Sequence, residues 1–121
     1  MDQEAKKKAL RSFTYGLYIL TAQDGEDLAA GTVNWVTQAS FQPPLIALGV
    51  KRESHLHALI AKTGRLALMT LRADQKAIAQ DFFKPTKREG NTLNGHPFEP
   101  SPTFGLPLLT ELPYWLEAEV R

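Results

Sequence analysis

Apolar and polar positions along the chain alternate with two different periods, and the switches between them set out the elements. Residues 3–12 are lysine-rich and read as a short surface helix. Residues 16–22, Gly-Leu-Tyr-Ile-Leu-Thr-Ala, suit a half-buried strand. Asp24-Gly25 is a turn signal, and a second extended run follows over residues 28–36, so the two runs are expected to pair as an antiparallel hairpin. Phe41-Gln42-Pro43-Pro44 breaks the chain, because neither proline can donate to a ladder. The continuous apolar run 45–50 predicts a strand buried on both faces. Helical spacing then takes over in residues 53–62. Leu56, Leu59, Ile60 and Thr63 share a face, and Gly64 closes the helix. Residues 65–71 predict a further strand, and Asp74 is the expected N-cap of a helix running to about Phe83.

From Lys84 to Pro113 the pattern is lost. Six of the eight prolines fall there, which predicts a long ordered excursion with little regular structure, of the kind that is functional or interfacial. Residues 114–120 alternate again as a last strand, with Tyr114, Leu116, Ala118 and Val120 opposite Trp115, Glu117 and Glu119. Five strands and few helices favour a mainly β fold, a small antiparallel barrel. A tight turn between the first two strands argues against a doubly wound parallel sheet.

Composition narrows the function. The 121 residues suit one domain, and a chain this short gains from sharing an interface with a second subunit. A formal charge of +1 leaves no electrostatic footprint for nucleic acid. With no cysteine, disulfides and thiolate metal sites are excluded. The polar N-terminus lacks the apolar core of a signal peptide, and no apolar run has the length of a membrane span. The expectation is a soluble cytoplasmic protein that engages no membrane.

Two segments carry candidate chemistry. In the first, Thr32, Val33, Asn34, Trp35, Thr37, Gln38, Ala39 and Ser40 crowd polar groups beside an indole, the surround a flat heteroaromatic ring needs; a strand with solvated threonines reads the same way. In the second, Lys51, Arg52 and Ser54 stand where a strand gives way to a helix, which makes a phosphate site, or simply an N-cap beside two solvated cations. Glu53 would have to point away from a phosphate. No P-loop, Gly-x-Gly-x-x-Gly, His-Glu-x-x-His or Gly-x-Ser-x-Gly is present. His55 and His57, two apart on a helix, point to nearly opposite sides, so no metal site is expected. Phe82-Phe83-Lys84 could cover a ligand or a partner subunit, although Phe82 with Ile78 also completes an apolar stripe.

Taken in order, Leu10-Arg11-Ser12-Phe13 with Gly16, residues 31–40, Pro43-Pro44, residues 51–54, Gly64-Arg65, Phe82-Phe83, residues 105–109 and Tyr114-Trp115-Leu116-Glu117 resemble the flavin reductase-like, FMN-binding split-barrel family. The form Trp35-Val36-Thr37-Gln38-Ala39-Ser40-Phe41 is also similar to the flavin-reductase module fused to some flavodiiron proteins. The resemblance spans nearly the whole chain as one domain, residues 1–121. It implies a split antiparallel barrel and a homodimer with the flavin near the interface. Thr32, Val33, Asn34 and Trp35 would then line the ribityl chain and ring edge, with Thr37, Gln38, Ala39 and Ser40 continuing that wall. Lys51, Arg52 and Ser54 would hold the phosphate, and Phe83 and Lys84 would lie close to the flavin. The implied activity is hydride transfer from NAD(P)H to the flavin, which passes electrons to oxygen, a partner oxygenase or another acceptor; no side chain is needed as acid or base. FMN is favoured over FAD because one basic cluster suits one terminal phosphate. The family's further strands, with a Gly-Asp-His-like segment, have no counterpart before Arg121, so the expectation is either a fragment or a barrel closed some other way, with residues 114–120 then at risk of an unpaired edge. The alternative is a flavin-binding electron carrier without its own nicotinamide site.

Overall fold

The computed structural model describes residues 2–11 and 16–121. Ser12 and Phe13, part of the resemblance, lie outside the described residues. Helix α1 (Gln3–Arg11) precedes a hairpin of β1 (Tyr18–Asp24) and β2 (Asp27–Val33), turned at Gly25 with φ 61°. The extended run expected over 28–36 is interrupted at Asn34 and Trp35. It resumes as β3 (Val36–Ser40), which pairs with β4 (Leu45–Leu48) in a separate two-stranded ribbon. Helix α2 (His55–Thr63) is capped by Ser54 at one end and by Gly64, φ 71°, at the other. Then come β5 (Arg65–Thr70), a 3-10 turn (Ala73–Gln75) and α3 (Lys76–Asp81). Asp74 is not the helix N-cap. The Gln75 side chain reaches back to accept from Arg72 N at 2.9 Å, while Asp74 pairs with the Arg72 guanidinium at 3.5 Å.

The excursion expected to be irregular holds a third sheet. Strands β6 (Arg88–Glu89), β7 (Thr92–Leu93), β8 (His96–Pro100) and β9 (Pro107–Leu109) pair in sequence order. Strand β10 (Trp115–Glu119) returns to the main sheet, whose order is β10-β5-β1-β2, antiparallel throughout. It forms the edge there. The fold is mainly β with a few short helices, as expected, and among the described residues the strands form separate antiparallel sheets without closing into a complete barrel.

The main sheet is buried on both sides. Ile19, Ala67 and Met69 pack on one face against Ile78, Phe82, Leu93, Leu106, Leu108, Leu109 and Leu112. Leu20, Ala22, Ala29, Leu66 and Leu68 pack on the other against Leu56, Leu59 and Ile60 of α2. Burial on both faces therefore falls on β1, β5 and residues 28–30 of β2, not on residues 45–50. Strand β4 pairs only with β3 and leaves Ala47 exposed. Inside this sandwich Thr21 is fully buried, and its hydroxyl donates to Pro107 O at 2.7 Å, so no polar group is stranded. No helix among the described residues is long and apolar enough to cross a membrane.

Glu117 of β10 anchors the loop between β8 and β9. Its carboxylate accepts from Ser101 Oγ at 2.6 Å, Phe104 N at 2.7 Å and Thr103 N at 3.2 Å. Desolvation pushes this carboxyl up, but the donors outweigh it, and the net shift is below the ordinary glutamate value. The clamp's contribution is thus present above the unfolded value and lost as pH falls through the folded one. Glu117→Ala is expected to cost about 1–2 kcal/mol near neutral pH. Denaturant melts across an acid series check this: the wild-type and variant curves should converge as the carboxyl protonates, and a constant gap would contradict it.

Candidate functional site

A cleft of about 760 Å³ runs along the outer edge of β2, between α2 and the segment that follows α3. Thr32, Val33, Asn34 and Trp35 line it where β2 ends, Lys51 and Ser54 where α2 begins, and Phe83 and Lys84 on the facing wall. Three segments far apart in sequence thus bring eight of the expected residues together. Thr37, Gln38, Ala39, Ser40 and Arg52 do not line this cleft. Thr37 borders a shallow hollow behind Trp35, and Gln38 and Ala39 face a second cavity between the ribbon and β10. Ser40 ends β3 beyond a register shift, and the Arg52 side chain is exposed.

Two hydroxyls have structural duties. Thr32 Oγ1 donates to Ala79 O at 2.7 Å, tying β2 to α3. Ser54 Oγ donates to Lys51 O at 2.7 Å and accepts from His57 N at 3.1 Å, as an N-cap does. An anion here would meet the Lys51 ammonium and the unused leading N–H groups of α2 rather than a free serine proton. The side chains of Asn34, Lys51 and Lys84 make no hydrogen bond or ion pair among the described residues. Trp35 is 62% and Phe83 69% exposed, so two large aromatic faces stand unpacked at the cleft. These groups fit a flavin nucleotide: aromatic and apolar surface for the ring, a free amide for its polar edge, and cations for phosphate.

Further lining residues shape the cleft without having been expected to bind a ligand. Gly31 lets α2 approach, since a Cβ there would sit 2.8 Å from Leu56 Cδ1. Thr86 Oγ1 bonds both Ala30 N at 2.9 Å and Ala30 O at 3.0 Å, and Phe82 O accepts from Thr32 N at 3.2 Å. His55 and Asp27 pair at 2.6 Å across the far end, both half exposed, and so contribute little to stability. Gly31 sits in a strand pattern, where glycine signals close backbone approach. For Thr86 the sequence carried no signal.

The family model described as flavin reductase like domain matches residues 10–121. The chain belongs to the flavin reductase-like domain family. It is similar to a diflavin flavoprotein of Synechocystis, 32% identical over 114 residues, covering 94% of this chain but 20% of that protein. An NADPH-flavin oxidoreductase of Streptomyces viridifaciens is 32% identical over 113 residues, covering 89% of this chain and 58% of that protein. The styrene monooxygenase flavin reductase of Pseudomonas putida S12 superposes with a TM-score of 0.77 at 28% identity, covering 96% of this chain and 72% of that structure. The flavin reductase-like fold therefore extends over the described residues, while this chain spans only part of each of these relatives.

Trp35 rests on Gly49. Gly49 N donates to Trp35 O at 2.8 Å, and a Cβ on Gly49 would lie 3.0 Å from Trp35 Cε3. Gly49→Ala should move the indole and shift its emission with little loss of fold. Fluorescence and circular dichroism in a Trp115→Phe background measure this, and an unchanged emission maximum would show that the indole does not lean on Gly49.

Proposed function

We propose that this cleft binds a flavin, FMN in preference to FAD, and that the chain is the flavin-binding part of an NAD(P)H-dependent flavin reductase. The observation that carries the reading is the convergence of unpacked Trp35 and Phe83, the free Asn34 amide and the unpaired Lys51 in one cleft, on a chain of this family. A bound flavin would supply the hydride acceptor. The chain's part is placement. Trp35 and Phe83 bracket the ring, Asn34 offers an amide to its polar edge, and Lys51 with the start of α2 holds the phosphate. Thr37, Gln38, Ala39, Ser40 and Arg52 are assigned to the continuing wall of the site in a homodimer, residues 1–121 forming one such domain in each subunit. Exposed Trp35, Phe41 (84%) and Phe83 support a second copy as the cover. Because the styrene monooxygenase reductase is named as an oxygenase's flavin reductase, the proposed electron acceptor is a partner oxygenase.

The absorption spectrum of the purified protein, taken before and after adding FMN and desalting, tests flavin binding directly. Retained flavin bands, bleached on mixing with NADH or NADPH, are expected. Bands that neither nicotinamide bleaches but a protein donor does would make the chain an electron carrier instead. Lys51→Ala should weaken FMN about tenfold, the scale of one charge-assisted phosphate contact, and leave riboflavin nearly unaffected. Equal losses for both ligands by fluorescence titration would show that Lys51 does not meet the phosphate.

A further inference from the structure

Behind the cleft wall the His96 imidazole lies between two carboxylates on opposite ring nitrogens. Nε2 is 2.7 Å from Asp81 Oδ2, and Nδ1 is 2.7 Å from Glu111 Oε1. The ring is 15% exposed. A neutral imidazole carries one N–H and can satisfy only one of these contacts, whereas the imidazolium donates to both. The three residues belong to separate parts of the chain: Asp81 ends α3, His96 opens β8 and Glu111 follows β9.

What this clamp grips is the root of the cleft wall. Phe82, next to Asp81, is 2% exposed and tilts its ring on His96 at a centroid distance of 5.6 Å. Its carbonyl holds Thr32 N, and Ala79 O holds the Thr32 hydroxyl, so the end of α3 is bonded to β2 in front. From behind, Asn94 Nδ2 donates to Asp81 O at 2.9 Å. Phe83, Lys84, Pro85 and Thr86 leave this root directly and form the wall that faces Trp35 and Lys51.

We propose that His96, bonded to both Asp81 and Glu111, is a positioning residue that holds wall residues 83–86 in the geometry that binds flavin, so that loss of its proton loosens the wall and weakens the ligand. The clamp itself stands on the geometry above; its effect on affinity rests on the flavin reading of the cleft. Asp81 and Glu111 are the charged groups in contact with His96. Lys84, Lys87 and Glu89 line the adjoining hollow with Asp81, and Lys87 is paired to Glu89 at 3.2 Å. Desolvation lowers the histidine's affinity for its proton, but the two carboxylates outweigh it, and the net shift is upward. The doubly bonded form is therefore complete below the ordinary histidine value and is lost as pH rises through the raised one.

The test follows three quantities in the wild-type protein from about pH 6 to about pH 9: the His96 C2 proton shift, exchange of the Thr32 and Phe83 amides corrected for intrinsic rates, and the FMN dissociation constant. Protection should fall and the dissociation constant rise about three- to tenfold, both along the His96 titration curve. Asp81→Asn should move all three curves to lower pH together, and His96→Gln should leave affinity weak and flat across the range. The titration of the wild type decides the matter even where a variant does not fold. Protection that stays constant while His96 titrates overturns the clamp, whatever flavin does. Protection that falls while affinity stays flat overturns the link to binding. Protection that falls in a protein that binds no flavin at any pH supports the clamp and overturns the flavin reading instead.

Discussion

Strand β2 is the edge of a sheet, and its outward backbone groups must find partners without a neighbouring strand. The structure meets this demand with the end of α3 and the residues after it. Phe82 O takes Thr32 N, and the Thr86 hydroxyl serves both the N–H and the C=O of Ala30. Residues 83–85, between these two anchor points, line the cleft together with Gly31 of β2 and with Ser54, His55 and Leu56 at the start of α2. An edge strand that would otherwise be an aggregation hazard becomes the wall of a cleft.

The same economy explains the exposed aromatics. Trp35 and Phe83 both line the cleft with most of their surface open, while neighbouring Phe82 is buried in the core. Full burial of a side chain of this size would add about 2–3 kcal/mol, so leaving both open forgoes stability that a ligand or a second subunit can recover. The β3–β4 ribbon shares this character, with Phe41 at its tip and Ala47 on its open face. On the proposed reading, flavin and a second subunit would share the task of covering these exposed groups.

What could be read in the sequence was what short-range chemistry decides. The Asp24-Gly25 turn, the Ser54 and Gly64 caps and the face of Leu56, Leu59 and Ile60 all depend on residues within a few positions of one another. The run 28–36 looked continuous because its propensities are uniform. Its break at Asn34 and Trp35 comes from a distant partner, the N–H of Gly49. Burial was misplaced for a related reason: an apolar run shows that a strand can be buried on both faces, but sheet order decides which strand is, and β4 lies outside the main sheet. In the excursion, strands of two to five residues interrupted by proline fall below any periodicity signal. The sequence pointed to segments 32–35 and 51–54, which meet in the cleft, because each carries its own chemistry. Thr86 and His96 acquire theirs only from what tertiary structure places opposite them.

The proline-rich excursion depends on this kind of long-range contact more than any other part of the chain. With few ladder bonds of its own, it is fixed to the rest of the fold by its buried leucines, by the Thr86 and Thr21 hydroxyls, and by two charged clamps. Glu117 gathers three donors from residues 101–104, and His96 is shared between Asp81 and Glu111. The clamps titrate in opposite senses, since a carboxylate that accepts loses its grip on gaining a proton and an imidazolium that donates loses its grip on giving one up. Both clamps are intact together only in the interval between a depressed carboxyl and a raised imidazole. The excursion is therefore best ordered from weakly acid to near-neutral pH. Because the His96 clamp also sits at the root of the cleft wall, the alkaline limit of that interval bears on the cleft proposed to hold flavin, while the acid limit bears on the loop at the opposite edge of the sheet.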